Sequence, residues 1–160
     1  LADFLWLAFY IFALVASILL FKAQSPRITN LFEIIFITIA VFLPLHSFMS
    51  QNISPSDSIL TTTLNFLYPL LDSFLVAIFL TILRNSPNSK LINLPFLFSF
   101  LFFTLADALF AYQTNSEKYW NGNITDFFFA LAAFLFCLGC IRLSRSETLV
   151  SLPSNTQAKP

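Results

Sequence analysis

Four aspartates and one histidine lie within or at the edges of long apolar segments, where charge is expensive. They are Asp3, Asp72, Asp107, Asp126 and His46. A carboxylate at the centre of a bilayer costs about 2.5–3.5 kcal/mol even on the milder insertion scale, so such residues usually face a bundle interior and serve a function. The chemistry open to them is binding a cation, or donating a hydrogen bond from a protonated carboxyl group.

One of these acids ends a polar stripe at helical spacing. Its members are Thr61, Asn65, Tyr68 and Asp72. This spacing places them on one face of an otherwise apolar helix. Pro69 frees the carbonyl of Asn65, so we predict a kink that opens the stripe toward a cavity. Asp72 is predicted to be protonated, or balanced by a bound cation or by His46.

Simpler roles stay open for several of these residues. Asp3 and Asp126 lie near helix starts, where a carboxylate also caps free amides. His46 also fits a hydrogen-bonded interface residue. The nearby large aromatic side chains fit a belt at a membrane surface. These belt candidates are Trp6, Tyr10, Tyr112, Tyr119 and Trp120.

Other catalytic and cofactor patterns are missing from the sequence. It has no glycine-rich phosphate loop, no HExxH motif, no plausible Ser/His/Asp set and no intramembrane lysine for a retinal Schiff base. Cys137 and Cys140 lie one helical turn apart, which disfavours a disulfide and favours a packing role. Asn52 and Asn123 begin glycosylation sequons. No catalytic or metal-ligating residue is predicted, an enzymatic role is not favoured, and the cofactor stays open.

Long apolar helices must position these side chains. Hydrophobic residues make up 58% of the 160-residue chain and charged residues 10%, against about a quarter charged in globular proteins. The acidic and basic residues cancel, so no net charge exists to attract nucleic acid. The mean hydropathy of +0.80 and the 22 Phe residues indicate a multi-pass membrane protein.

Five segments are long enough to cross a bilayer, which needs about 20 apolar helical residues. The predicted spans are 2–21, 29–49, 58–83, 91–112 and 124–143, with polar turn residues between them. The fold class is therefore predicted to be an all-α integral membrane protein with five transmembrane helices. Residues 1–143 would form the bundle and 144–160 a disordered cytoplasmic tail.

The positive charges favour one orientation. All but one of the eight Lys and Arg residues lie toward one side, and Lys118 alone lies opposite. The positive-inside rule then places the N-terminus outside and the C-terminus in the cytoplasm, with the plasma membrane of a prokaryote as the expected location. The four aspartates and His46 fall toward the outer side. Glu33, near the inner side, is expected to pair with Arg27 or Lys22.

Three clusters and the start of the chain together resemble a known module. They are Tyr68-Pro69-Leu70-Leu71-Asp72, Ala106-Asp107-Ala108-Leu109-Phe110-Ala111-Tyr112, Tyr119 with Gly122 and Asp126-Phe127-Phe128-Phe129, and the opening Asp3-Phe4-Leu5-Trp6-Leu7-Ala8-Phe9-Tyr10. In this order they resemble the multi-pass membrane input module found ahead of GGDEF diguanylate cyclase, PAS and histidine kinase domains in bacteria and archaea. The resemblance covers about residues 1–145. It implies a sensor that is short at its N-terminus and has no output domain.

The predicted function is a membrane-embedded binding or sensing module with an acidic, aromatic-lined pocket in the outer half of the bilayer. The candidate ligand-binding residues are Asp72, Asp107, Tyr68, Asn65, Asp126, Asp3 and His46. The alternative is an accessory structural subunit of a larger membrane complex, packed on neighbours, lipids or pigments. A third is a small transporter or intramembrane enzyme. The expected partners are membrane lipids and other membrane protein subunits, and not nucleic acid.

Overall fold

The computed structural model describes residues 2–23, 27–50, 59–85 and 90–151 of the chain. Within these ranges lie five α-helices: α1 (Ala2–Ala23), α2 (Ile28–Ser50), α3 (Ile59–Asn85), α4 (Lys90–Asn115) and α5 (Ile124–Ser151). Each is long and apolar enough to span a membrane. The predicted all-α architecture is therefore confirmed for the described residues, with five helices that are long and apolar enough to span a membrane.

The helix ends follow the predicted connectors, with one larger difference at α5. This helix continues to Ser151, whereas the sequence prediction ends the span at Leu143 and begins a disordered tail. Neither Gly nor Pro occurs between Ile141 and Leu152, so no helix-breaking residue stops the helix there. Residues 152–160 of the predicted tail lie outside the described residues.

Helices α3 and α4 form the centre of the bundle. From α2 onward each described helix packs against the next one along the chain, and α1 packs against α3. Within the bundle 56% of the spanning window of both α3 and α4 is buried, against 22% for α1 and 17% for α2 and α5. The outer helices therefore present large apolar side chains to their surroundings, including Phe12, Phe36 and Phe134.

Stacked phenylalanines join α3, α4 and α5. The Phe79 ring stacks on Phe96 and Phe100, with centroids 5.2 and 5.6 Å apart. Phe136 of α5 meets Phe96 edge-on at 5.5 Å. Gly139 lies against the same ring, and a Cβ at that position would lie 2.8 Å from Phe96 atoms. The missing side chain at Gly139 lets α5 approach α4 closely.

Buried hydroxyl groups are mostly satisfied within their own helix. The side chains that donate to a carbonyl one turn earlier are Ser17, Thr38, Ser73, Thr81 and Thr104. Ser99 differs, because it donates across the helix interface to the carbonyl of Ala132 at 2.8 Å. This bond fixes the register of α4 against α5.

The loop from 116 to 123 closes one end of the bundle, which we call the loop end. Asn123 begins α5 as its cap, because its side-chain oxygen accepts the Thr125 amide at 2.8 Å. Its side-chain nitrogen donates to Gln113 at 2.7 Å. The sequon nitrogen at Asn123 is therefore buried and engaged in the fold, whereas Asn52 lies outside the described residues.

An ion pair marks the opposite end of the bundle, which we call the Arg84 end. Arg84 near the end of α3 pairs with Glu33 near the start of α2, and not with the predicted Arg27 or Lys22. The reason is helix adjacency: α2 and α3 run antiparallel, so the start of one meets the end of the other. Near the same end of the bundle, the Arg27 backbone amide donates to the side chain of Asn30 at 2.7 Å.

Candidate functional site

A tyrosine hydroxyl joins two aspartates inside the bundle. The Tyr10 oxygen lies 2.8 Å from Oδ1 of Asp72 on α3 and 3.0 Å from Oδ2 of Asp107 on α4. Tyr10 is 2% exposed and Asp72 is completely buried. We call these three residues the Tyr10 cluster. The structure therefore brings together the two aspartates that the cost argument placed in the interior.

The Tyr10 cluster needs a positive charge or a proton of its own. A hydroxyl group has one hydrogen to donate, so Tyr10 serves one carboxylate at a time as donor. Within the described residues, no amide or hydroxyl donor reaches Oδ2 of Asp72, and the carboxyl of Asp107 lies beside that of Asp72 because one hydroxyl contacts both. Two carboxylates this close do not both stay ionised unless something compensates them. A proton shared by the pair satisfies this geometry.

The polar face of α3 packs against the Tyr10 cluster. Tyr68 precedes Asp72 by one helical turn, and its ring stacks on Tyr10 with centroids 5.6 Å apart. Asn65 and Tyr68 line a cavity beside the cluster. The predicted stripe therefore faces the bundle interior at Asn65, Tyr68 and Asp72, while the side chain of Thr61 lies outside the described residues.

The cavity has a volume of about 440 Å³ and lies between the Tyr10 cluster and the loop end. Its lining comes from all five described helices and from the loop. Its aromatic walls are Trp6, Tyr10, Tyr68, Phe110, Tyr119 and Phe129. Its acidic residues are Asp107 and Asp126, and no Lys, Arg or His is found among the lining residues described. The space is thus both aromatic and acidic.

Asp126 is held firmly at the rim of this cavity. The Tyr119 hydroxyl donates to its Oδ1 at 2.8 Å, and the Gly122 amide donates to its Oδ2. Gly122 has a φ of 88°, a backbone conformation that glycine adopts without strain. The hydrogen bond to Asp126 raises the pKa of Tyr119 above its ordinary value, so this hydroxyl stays a donor at neutral pH.

Two other predicted residues are placed differently. His46 stacks on Phe42 and meets Phe66 edge-on, both with centroids 5.4 Å away. It is not among the side chains that line the cavity, so the partner of Asp72 is Tyr10 and not His46. Asp3 lies in the first turn of α1, but its side chain lies outside the described residues.

Tyr10 and Tyr119 are the functional candidates that sequence reasoning assigned to the aromatic belt. Both hydroxyls instead bind carboxylates inside the bundle or at its rim. The available signal was spacing, because Trp6, Tyr10 and Ser17 share one face of α1, and a tyrosine on an inward face needs a partner for its hydroxyl. Trp120 is 64% exposed, and its place in an aromatic belt stays a prediction.

The geometry limits the chemistry of the site. Among the described ranges, no group of three or more His, Cys, Asp or Glu is placed to hold a metal ion. Asp72, Asp107 and Tyr10 form a set placed to share a proton, next to a space large enough for a small molecule. The arrangement suits recognition of a ligand by charge and by aromatic contact.

Comparisons with known proteins assign no family to this chain. The sequence matches no protein-family model, and no similar curated protein or solved structure was found. The resemblance to the membrane input module therefore stays a prediction. The three sequence clusters that carry it do supply Tyr68, Asp107 and Asp126 to one cavity.

Proposed function

We propose that this chain is a membrane-embedded module that binds a small ligand in the cavity and senses it through the Tyr10 cluster. The observation that carries the proposal is the cavity itself. It has a volume of about 440 Å³ and is lined by aromatic and acidic side chains from α1, α3, α4, α5 and the loop, with Met49 of α2 beside them. Ligand pockets commonly measure about 300–1,000 Å³ and combine apolar walls with few polar groups.

The cluster offers a route from ligand binding to a change in helix position. Asp107 lines the cavity and also contacts the Tyr10 hydroxyl of α1. A ligand that contacts Asp107 competes with this hydroxyl, so binding weakens one attachment of α1 to α4. Because α1 is mostly exposed and packs on α3, its position responds more readily than that of the central helices.

The distribution of charge supports an outward-facing cavity in the plasma membrane of a prokaryote. Lys22 and Arg84 occupy the last turns of α1 and α3, away from the loop end. Lys118 is the one basic residue that the described loop contributes to the cavity side. By the positive-inside rule the loop end then faces outward, and Pro160 lies in the cytoplasm.

A binding screen with a cavity-filling variant tests this proposal. The purified protein is incubated with a library of cationic, neutral and anionic small molecules, and its thermal stability is measured. Ala111 is buried and lines the cavity, so Ala111→Leu should abolish the effect of any true ligand. Ala130→Leu, on the exposed face of α5, is the matched control and should leave it unchanged. If no compound of any charge class shows this dependence, the binding proposal fails.

The accessory-subunit alternative concerns the outer surface of the bundle. Phe12 and Phe36 are 75% and 74% exposed, and either lipid or a neighbouring subunit would cover them. We propose membrane lipids and other membrane subunits as the partners of this surface. Size measurement of the protein extracted from its native membrane distinguishes a lone chain from a subunit of a complex.

A further inference from the structure

We infer that the cavity binds an organic ammonium cation, with Asp107 as its countercharge and the aromatic side chains as its walls. This inference rests on the proposed binding function and names the ligand class. It is carried by the charges around the cavity, by the kind of side chains in its walls and by its size.

The described lining of the cavity carries acidic side chains and no basic one. Asp107 and Asp126 line it, while Asp72 lies completely buried behind Tyr10 and Asp107. One oxygen of Asp72 has no amide or hydroxyl donor within the described chain. No basic side chain faces the cavity among the described lining residues. A cation beside Asp107 gives these carboxyl groups the compensation that a shared proton otherwise supplies, and a neutral or anionic ligand does not.

The two acids that line the cavity differ in their freedom to meet a ligand. Both oxygens of Asp126 already accept hydrogen bonds, one from Tyr119 and one from the Gly122 amide. These bonds commit Asp126 to closing the loop. Asp107 shares the Tyr10 hydroxyl with Asp72 and has that carboxyl as its neighbour. Asp107 is therefore the acid that gains most from a cation.

The walls favour an organic cation over a metal ion. A bare Ca²⁺ takes about six to eight oxygen ligands, and the described residues hold no cluster of three or more metal-binding side chains. The cavity instead presents the faces or edges of Trp6, Tyr68, Phe110 and Phe129. Aromatic rings attract alkylammonium groups through their negative faces, and tryptophan does so best. A volume of about 440 Å³ also exceeds what a single metal ion would fill.

Charge is tested directly by a pair of probes with the same shape. Choline and 3,3-dimethylbutan-1-ol differ mainly in the positive nitrogen that a carbon replaces. The protein is placed in phosphatidylglycerol nanodiscs, which contain no choline headgroup, and its thermal stability is titrated with each probe. Tetraethylammonium serves as a larger cation. We expect at least one of the two cations to bind saturably, and the neutral alcohol to bind at least tenfold more weakly than choline.

Variants assign the binding to the cavity. Asp107→Asn and Trp6→Leu should each weaken cation binding at least tenfold, because one removes the charge and the other the best ring. Trp120→Leu is the matched control, since Trp120 is exposed and does not line the cavity. If Asp107→Asn does not fold, Trp6→Leu carries the test, because Trp6 is partly exposed and makes no side-chain hydrogen bond that is described.

The outcomes separate this inference from the proposed function. Equal binding of the alcohol and choline, or equal stabilisation by Na⁺ and K⁺, overturns the ammonium assignment. If neither organic cation binds, and a neutral or anionic ligand binds in a way that depends on Ala111, the ammonium assignment is also overturned, but the binding function is supported.

A repeat in phosphatidylcholine nanodiscs identifies the source of the cation. If a lipid headgroup enters the cavity, wild type but not Asp107→Asn is more stable there, and added choline has no further effect.

Discussion

Tyr10 connects three helices through one hydroxyl group, because its oxygen lies within hydrogen-bonding distance of acids on both α3 and α4. The variant Tyr10→Phe removes this hydroxyl while its ring can still stack on Tyr68. We expect the free energy of unfolding to fall by about 1–3 kcal/mol, the usual cost of leaving a buried polar group unpaired. Chemical denaturation in detergent measures it.

The control for this variant is Tyr112→Phe. Its ring stacks on Phe48 at the loop end, outside the lining of the cavity. The same loss of an oxygen atom there should change stability little. Equal unfolding free energies for the two variants would show that the Tyr10 hydroxyl has no special role.

We predict that two substitutions of Asp72, similar in size, differ in their effect on the stability of the protein. Asp72→Asn keeps an acceptor for Tyr10 and adds a donor that can face Asp107, so we expect it to fold with near wild-type stability. Asp72→Leu leaves Asp107 as the one acceptor of the Tyr10 hydroxyl and removes the acid with which Asp107 would share a proton, so we expect a buried carboxyl left unpaired at a cost of about 1–3 kcal/mol. Thermal unfolding in detergent compares them. A leucine variant as stable as wild type would contradict the role assigned to Asp72.

The sequence predicts which side chains are energetically costly to place in a membrane, but it does not predict which side chains contact one another. The free-energy cost of a carboxylate in a membrane is enough to predict that Asp72 and Asp107 face the interior of the bundle. It could not reveal Tyr10 as their partner, because a residue on α1 meets them through the order of helices in space. The same gap explains His46, which shares the predicted outer half with Asp72 yet packs between Phe42 and Phe66.

At the scale of whole helices, length and charge predict the spans well. Runs of apolar residues set where α1 to α5 lie, and the short polar connectors set their ends. Helix adjacency is less accessible to sequence. Glu33 was assigned to basic residues close in sequence, whereas the structure pairs it with Arg84 on the antiparallel neighbour.

The contact of α4 with α5 depends on a missing side chain at Gly139. A Cβ there would lie 2.8 Å from Phe96, whose ring is fixed by stacking on Phe79 and by the edge of Phe136. We therefore expect Gly139→Ala to destabilise the protein by about 1–3 kcal/mol through overpacking. Unfolding of the purified variant in detergent measures the loss.

A double-mutant cycle tests the cause of this loss. Phe96→Leu makes room for the added methyl group, so Gly139→Ala should cost less in that background than in wild type. Additive effects of the two substitutions would mean that the methyl group does not meet the Phe96 ring, and the close approach of α5 to α4 would have to be explained otherwise.

For the whole molecule, the testable property is its orientation in the membrane. Cys137 and Cys140 are free and exposed, so both are first replaced by alanine. Single cysteines at Ser89 and Ser116 then report the two sides. We expect position 89 to react with an impermeant reagent only from the cytoplasm and position 116 only from outside, as the positive-inside rule requires. Reaction of position 89 from outside alone would reverse the topology.

The Tyr10 cluster also constrains how the protein is made. The Tyr10 hydroxyl meets partners 62 and 97 residues further along the chain. Membrane helices enter the bilayer individually and associate afterwards. During synthesis α1 therefore waits in lipid, with a polar tip facing no carboxylate, until α3 and then α4 have been inserted. When a ribosome stalls before α4, helices α1, α2 and α3 are already made, but the site is incomplete because Asp107 is still missing.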